Sequence, residues 1–240
     1  LTGVKEYRKS NATTCSSDLC EHSARHLINK LNLDPQTINA LIFVTQTPDY
    51  RAPSTACILQ NKLGLSMNSI AFDINLGCSG FIYGYYMCCS LLQTHNLNRV
   101  ILCCGDTQSK FASEKDKNVN FLLGDGGSAI LIEKKDNQKE SIFNLYTDGS
   151  RYDKLIIKGG GYRHQSNEDT LKIEKQSDGQ YRSLEHMFLA GMDVFSFSVT
   201  DVIKSIQLYF ENTNKTNDSF DFIALHQANK FMIDKIGKKT

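Results

Sequence analysis

A cysteine set between glycines is the first place in this chain where chemistry could sit. In the stretch DINLGCSGF, Cys78 follows Gly77 and precedes Ser79 and Gly80. An apolar run ends just before it and a longer one begins just after. A thiol at such a junction could serve as a nucleophile. Backbone amides and the positive end of a following helix would favour its thiolate. Small neighbours let the backbone turn sharply and let a carbonyl approach both sulfur and amides. The logic is that of a nucleophile elbow with Cys in place of Ser. A structural cysteine in a tight strand-to-helix turn would carry the same residues, so spacing leaves both readings open. His226, in ALHQAN, follows the apolar run DFIAL. A base held at a strand end toward a cleft would sit there, and so would an ordinary histidine at a strand terminus. His22, His26, His95, His164 and His186 fall on helix faces or polar loops, and nothing local recommends them.

These residues need elements to hold them. Residues 14–31 carry a helical pattern, and ALIFVTQT (40–47) is a short continuous apolar run bounded by turn residues, the pattern of a buried strand. A second helix follows Pro53. IAFDIN and RVILCCGD read as further strands, and FLLGDGGSAILIE as a fourth with a tight turn at GDGGS (124–128). Residues 78–92 are apolar nearly all round, which predicts a helix buried on every side. After the charged connection 133–140, SIFNLYTDGS leads into a Gly-rich polar stretch through residue 183, with GGGY (159–162) as flexible loop. A helix over 192–210 then precedes DFIALHQAN, with DFIAL as a buried strand. The order helix, polar loop, apolar strand occurs in both halves, so two related α/β halves are expected.

The composition narrows the classes. With 27 Lys and Arg against 26 Asp and Glu, the net charge of +1 gives no electrostatic reason to expect nucleic acid or an anionic membrane. No apolar run reaches the roughly 18 residues of a membrane span. The start LTGVKEYRKS is neither a signal peptide nor a transit sequence. Eight cysteines without C-x-x-C or zinc spacing read as reduced thiols in a cytoplasmic protein, with no metal. The pairs Cys88/Cys89 and Cys103/Cys104 lie in apolar runs, where Cys behaves as a small hydrophobe. The sequons at Asn11, Asn214 and Asn217 read as chance in an Asn-rich chain. The glycine clusters lack the Lys-Ser/Thr ending of a phosphate loop.

Taken together, the ordered motifs resemble the β-ketoacyl-acyl-carrier-protein synthase III enzymes of the thiolase superfamily. TGVKEYR is similar to that family's TGI-x-x-R segment, and TPDYRAPSTACILQNKLG to its T-x-x-P-S-x-A-x-x-x-Q-x-x-LG region. FDINLGCSGF resembles the active-site D-x-x-x-x-C-x-GF motif, FLLGDGGSA the FGDGA-GA segment, and LHQAN the PHQAN motif. The resemblance implies a thiolase-like α/β fold of two related halves packed in five layers (α-β-α-β-α), 1–136 carrying the cysteine and 137–240 the histidine. It implies Cys78 as the nucleophile acylated by an acyl-CoA, its amide in the oxyanion hole, and His226 assisting a decarboxylative condensation with malonyl-acyl-carrier protein. A third residue, an Asn, is expected beyond Thr240, and the chain reads as truncated at both ends. No cofactor is implied beyond the acyl-CoA and carrier thioesters, and a homodimer is.

Departures from the family pattern matter too. Leu1 and Phe231 stand where Arg residues commonly meet CoA and the carrier protein. Lys117, Gln227, Asn229 and Lys230 are the candidate substrate and carrier contacts, with Lys5 and Lys110 as further sources of charge. Ala52 takes the place of a bulky Phe at the acyl pocket, which leaves room for a longer or branched primer. Two other functions stay open: acyl transfer from Cys78 to a hydroxyl or amine of a sugar or metabolite, and a non-catalytic partner subunit.

Overall fold

The computed structural model describes residues 2–94, 96–136 and 140–239. Leu1, His95, residues 137–139 and Thr240 lie outside the described residues. The chain forms two compact units, one from Arg8–Lys110 with Gly124–Phe143, the other from the remaining residues.

In the first unit the apolar runs become α1 (Ser16–Lys30), β1 (Ala40–Val44), α2 (Thr55–Lys62), β2 (Ile70–Ile74), α3 (Gly80–Leu92), β3 (Arg99–Thr107) and β4 (Asp125–Glu133). Their sheet has the order β2-β1-β3-β4, with β1 parallel to both neighbours and β3 antiparallel to β4. The alternation of a strand sends successive side chains to opposite faces. Leu41 and Phe43 of β1, with Ile101 and Cys103 of β3, pack on Cys20, Ala24 and Ile28 of α1 and on Ala56 and Leu59 of α2. Ala40, Ile42 and Val44, with Val100 and Leu102, face Cys88 and Leu92 of α3. Both faces of β1 are thus dry, which explains a strand with no polar residue. Each large side chain buried there contributes about 1.5–3 kcal/mol. Cys88 and Cys103 are buried among aliphatics, as small hydrophobes should be.

Two expectations about this unit need correction. The helix α3 is buried along one stripe, Gly80, Gly84, Cys88 and Leu92, whereas Phe81 and Ile82 are each 45% exposed and Tyr86 is 41% exposed. Residues four apart share a helix face, and only that face meets the sheet. The glycines of GDGGS form no turn. Asp125, Gly126, Gly127 and Ser128 lie inside β4, paired with Thr107, Asp106, Gly105 and Cys104, while Phe121 and Leu122 lie in the turn before it. The cause is the close approach of α1. A Cβ on Gly127 would stand 2.6 Å from the carbonyl carbon of Leu19 and 2.7 Å from the nitrogen of Cys20.

The second unit holds β5 (Leu155–Ile156), α4 (Glu168–Leu171), β6 (Glu174–Lys175), β7 (Tyr181–Arg182), β8 (Phe188–Leu189), α5 (Gly191–Thr213) and α6 (Lys230–Gly237). Strand β5 pairs with β8 and β6 with β7, both antiparallel. Ala112, Val119 and Met187 form its small buried cluster. The guanidinium of Arg182 is buried between carboxylates, 3.1 Å from Asp116 and 2.8 Å from Asp178. GGGY is packed rather than flexible at its first residue: Gly159 is buried and its N–H donates to the Leu184 carbonyl at 2.8 Å.

A third correction concerns DFIAL. It forms no strand among the described residues; it is irregular chain before α6, with Phe222 81% exposed. Its apolar residues meet the compositional demand of a strand, but a strand also needs a neighbouring backbone to take its hydrogen bonds. Among the described residues no helix is long and apolar enough to cross a membrane.

Candidate active site

Cys78 sits in the turn that carries β2 into α3. Gly77 accepts a hydrogen bond from the Gly80 N–H at 2.8 Å, so the chain reverses tightly around the cysteine, and Ser79 stands at the N-cap position of α3 without a side-chain capping bond. Glycine at position 80 is required by the approach of the helix to the sheet. A Cβ there would lie 2.4 Å from Cγ1 of Val44. The thiol reaches solvent at the carboxyl-terminal edge of the parallel strands, the edge where α/β sheets bind ligands. Protein atoms nonetheless crowd it. This burial, with the negative charge of Asp106, pushes its pKa above the ordinary thiol value, while its own backbone N–H pulls the other way. Its own backbone N–H, rather than a set of helix amides, is what favours the thiolate, and burial outweighs it, so Cys78 rests as a thiol.

Two carboxylates that sequence reasoning assigned no role hold the strand ends around Cys78. Asp73 of β2 accepts the Thr55 and Ala56 N–H groups, each at 2.7 Å, and so fastens the first turn of α2 to the strand that leads into the nucleophile turn. Asp106, at the end of β3, accepts from the Gln46 N–H at 2.7 Å and the Thr47 N–H at 3.0 Å. It also takes the hydroxyls of Thr45 and Thr47, both at 3.0 Å. Burial raises its pKa, and those hydrogen bonds oppose the rise. The signal for both was visible: a lone Asp within an apolar strand must have a partner when buried. Which partner it finds was not visible.

In the other unit, His226 lies on the irregular segment before α6. Its ring touches solvent, yet the protein around it desolvates the imidazolium and lowers its pKa below the ordinary histidine value. It is therefore neutral at pH 7. Gln227 beside it is exposed. Asn229 acts as the N-cap of α6, its Oδ1 accepting from the Met232 N–H at 2.8 Å. Lys230 is paired with Asp234 at 2.7 Å. Phe231 stacks on Phe195 with ring centroids 5.4 Å apart, joining α6 to α5. Lys117 is exposed, and its backbone N–H donates to Gln180 at 2.9 Å. Lys110 is no free charge, because its ammonium donates to the carbonyls of Ala12 and Thr14 at 3.2 and 2.6 Å. Ala52 is exposed in the loop before α2, and Lys5 is exposed near the amino end. Among the described residues no cluster of three His, Cys, Asp or Glu side chains is placed to hold a metal.

The motifs around this turn also carry the chain's kinship. Residues 72–149 match the family model for 3-oxoacyl-[acyl-carrier-protein] synthase III. A synthase 3 candidate of Campylobacter jejuni is 39% identical over 227 residues, covering 93% of this chain and 63% of its own length. The synthase III of Caldanaerobacter subterraneus is 31% identical over 239 residues, 99% of this chain and 69% of that protein. The chain belongs to the 3-oxoacyl-[acyl-carrier-protein] synthase III family. Its structure agrees. A crystal structure of 3-oxoacyl-(acyl-carrier-protein) synthase III matches with a TM-score of 0.95 at 33% identity, over 99% of this chain and 71% of that one. The corresponding synthase of Burkholderia xenovorans gives 0.87 at 33% identity, over 99% of this chain and 66% of that one. The fold is accordingly the thiolase-like α/β fold of the synthase III family. The chain spans less than two thirds of the Campylobacter relative's length and about 70% of the Caldanaerobacter one.

Proposed function

We propose that this member of the synthase III family catalyses the condensation for which its relatives are named, with Cys78 as the nucleophile. The observation that carries the reading is the Cys78 turn: a solvent-reached thiol at the carboxyl ends of parallel strands, in a collar of Gly77, Ser79 and Gly80. The sulfur attacks an acyl-CoA carbonyl and gives up its proton. Backbone amides including that of Cys78 hold the oxyanion. The bond from the carbonyl to the CoA sulfur then breaks, CoA leaves as its thiol with that proton, and the acyl group stays on Cys78. The resting pKa above the usual thiol value makes proton removal part of this step. Malonyl-acyl-carrier protein then loses CO2. The electron pair of the broken bond forms an enolate, stabilised by neutral His226. The enolate carbon attacks acyl-Cys78, releasing the sulfur and forming a 3-oxoacyl-carrier thioester. The cycle is ping-pong.

Substrate contacts fall to Lys117 and Gln227, which are exposed; the charge of Lys230 is shared with Asp234 and Asn229 is committed to its helix cap. Ala52 leaves the acyl pocket room for a longer or branched primer. A homodimer is supported by β2 standing at the sheet edge and by the exposed apolar face Phe81, Ile82 and Tyr86 of α3. Eight free thiols suit a reducing compartment such as the cytoplasm. No observation favours acyl transfer to a sugar or metabolite.

Intact-protein mass spectrometry after incubation with a panel of acyl-CoAs, beside a Cys78→Ala control, tests the reading. The expected result is one acyl adduct, absent from the control, followed by malonyl-dependent CO2 release with a full-length protein. An adduct that persists in Cys78→Ala would overturn the assignment of the nucleophile.

A further inference from the structure

Gln46 follows β1, the strand between the one that carries Cys78 and the one that carries Asp106. Its two ends meet both neighbours. Its backbone N–H is the shortest of the four donors on Oδ1 of Asp106, at 2.7 Å. Its side-chain amide lies against the residue before Cys78: a Cβ on Gly77 would stand 2.5 Å from Oε1 of Gln46 and 3.0 Å from Cδ. Gln108 Nε2, next but one to Asp106, lies 3.5 Å from the same Oε1. The exit of β1 is tied to β2 as well, through the Thr45 N–H donating to the Ile74 carbonyl at 3.1 Å. Gln46 is exposed, so neither core packing nor burial accounts for this placement.

We propose that Gln46 is a positioning residue for Cys78, a strut whose backbone is pinned by Asp106 and whose amide braces the base of the nucleophile turn at Gly77. A neutral amide is the group that suits the place. It reaches Gly77 without adding a second negative charge beside the sulfur. Asp106 acts on Cys78 from β3, and the Cys104 thiol, raised to about 12 by burial first and then by the charges around it, lies in the same field. The exit of β1 (Thr45, Gln46, Thr47) and the first turn of α3 carry no charge.

The inference rests on Cys78 being the nucleophile, and the test separates the two ideas. Alkylation of Cys78 by iodoacetamide, followed by mass spectrometry across pH, reads the thiol itself whether or not any acyl-CoA reacts. Acyl transfer from acyl-CoA reads positioning. Gln46→Ala should slow acyl transfer about tenfold while alkylation stays within about threefold, because the attack geometry is lost and the thiol's chemistry is not. Gln46→Glu should move the alkylation midpoint to higher pH, and Asp106→Asn, which keeps an oxygen acceptor, should move it lower and speed alkylation several-fold at pH 7. Thermal unfolding of each variant reports folding, and Gln46→Glu and Gln46→Ala carry the test if Asp106→Asn does not fold. Wild-type acyl transfer in Gln46→Ala, or an unmoved midpoint in a folded Gln46→Glu, would overturn the proposal. Failure of the wild type to accept any acyl group would count against the nucleophile assignment instead.

Discussion

Gly80→Ala tests whether close helix approach is what sets the Cys78 turn. The new methyl would lie 2.4 Å from Cγ1 of Val44 and 3.3 Å from Cβ of Leu76. Carbon atoms in contact prefer about 3.5–4.0 Å, so roughly 1.1 Å must be found by moving α3 or the buried Val44. Overpacking of this kind costs about 1–3 kcal/mol. The gain in helix propensity from Gly to Ala returns up to about 1 kcal/mol, leaving a net loss of up to about 2 kcal/mol. Val44→Ala by itself removes two buried methyl groups and costs about 2 kcal/mol or somewhat more. In the double variant the offending Cγ1 is gone, and Val44 Cβ is 3.8 Å from the new methyl, an ordinary contact. The two losses should therefore not add. The double variant should be about as stable as Val44→Ala alone, a coupling of up to about 2 kcal/mol, equal to the whole Gly80→Ala loss. Urea unfolding of the four proteins measures this. Acyl transfer should fall in Gly80→Ala and recover in the double variant, because Cys78 lies two residues before the displaced position. Gly126→Ala, where a Cβ meets nothing within 4 Å, is the control and should stay within about 0.5 kcal/mol of wild type. Additive losses would refute the steric argument.

Three further outcomes follow from the hydrogen bonds and charges. Asp73→Ala strands two N–H groups of α2 that now donate at 2.7 Å; at about 1.5–3 kcal/mol for each charge-assisted bond the loss should be about 3–6 kcal/mol. Asp73→Asn, with one acceptor left, should lose about half as much in the same urea titration. Burial opposes the Asp125 carboxylate, but hydrogen bonds from Ser10 and Ser109 outweigh it and lower its pKa. Its stabilisation is therefore complete above the ordinary carboxylate pKa of 3.8 and is lost as pH falls through the lower folded value. Replacing both serines by Ala should move acid unfolding to higher pH; identical acid transitions would contradict this. Desolvation lowers the His226 pKa below 6.5, so the acid limb of malonyl-dependent CO2 release should fall below that pH, and a limb at or above it would show the imidazole is not the group involved. His226→Ala should cut CO2 release by about a hundredfold or more and leave Cys78 acylation in place.

Much of the first unit was legible residue by residue. ALIFV and RVILCC are strands because such apolar runs can be satisfied only between two layers, IAFDI is the half-buried edge strand beside them, and the helices at 16–30, 55–62 and 191–213 follow their 3.6 period. The small collar of Cys78 pointed to a sharp turn, which is what the structure has. The residues that misled did so for one reason: the sequence states what each side chain needs and is silent on which backbone comes to meet it. DFIAL has the apolar content of a strand and no pairing strand among the described residues. The GDGGS glycines looked like a turn, whereas one of them, Gly127, lets α1 press on a strand more than a hundred residues away. The α3 helix is apolar all round, yet only its Gly80–Gly84–Cys88–Leu92 stripe reaches the sheet.

The sequence alone therefore determined the layered α/β order, the kinship, and the cysteine and histidine worth testing. Tertiary structure alone decided the state of that cysteine. Burial of the sulfur first, and then the charge of Asp106, twenty-eight positions on and brought near by the parallel pairing of β2, β1 and β3, outweigh its own backbone N–H, which favours the thiolate. Local periodicity encodes a demand for burial; electrostatics and steric contact depend on distance through space, which only the folded chain sets.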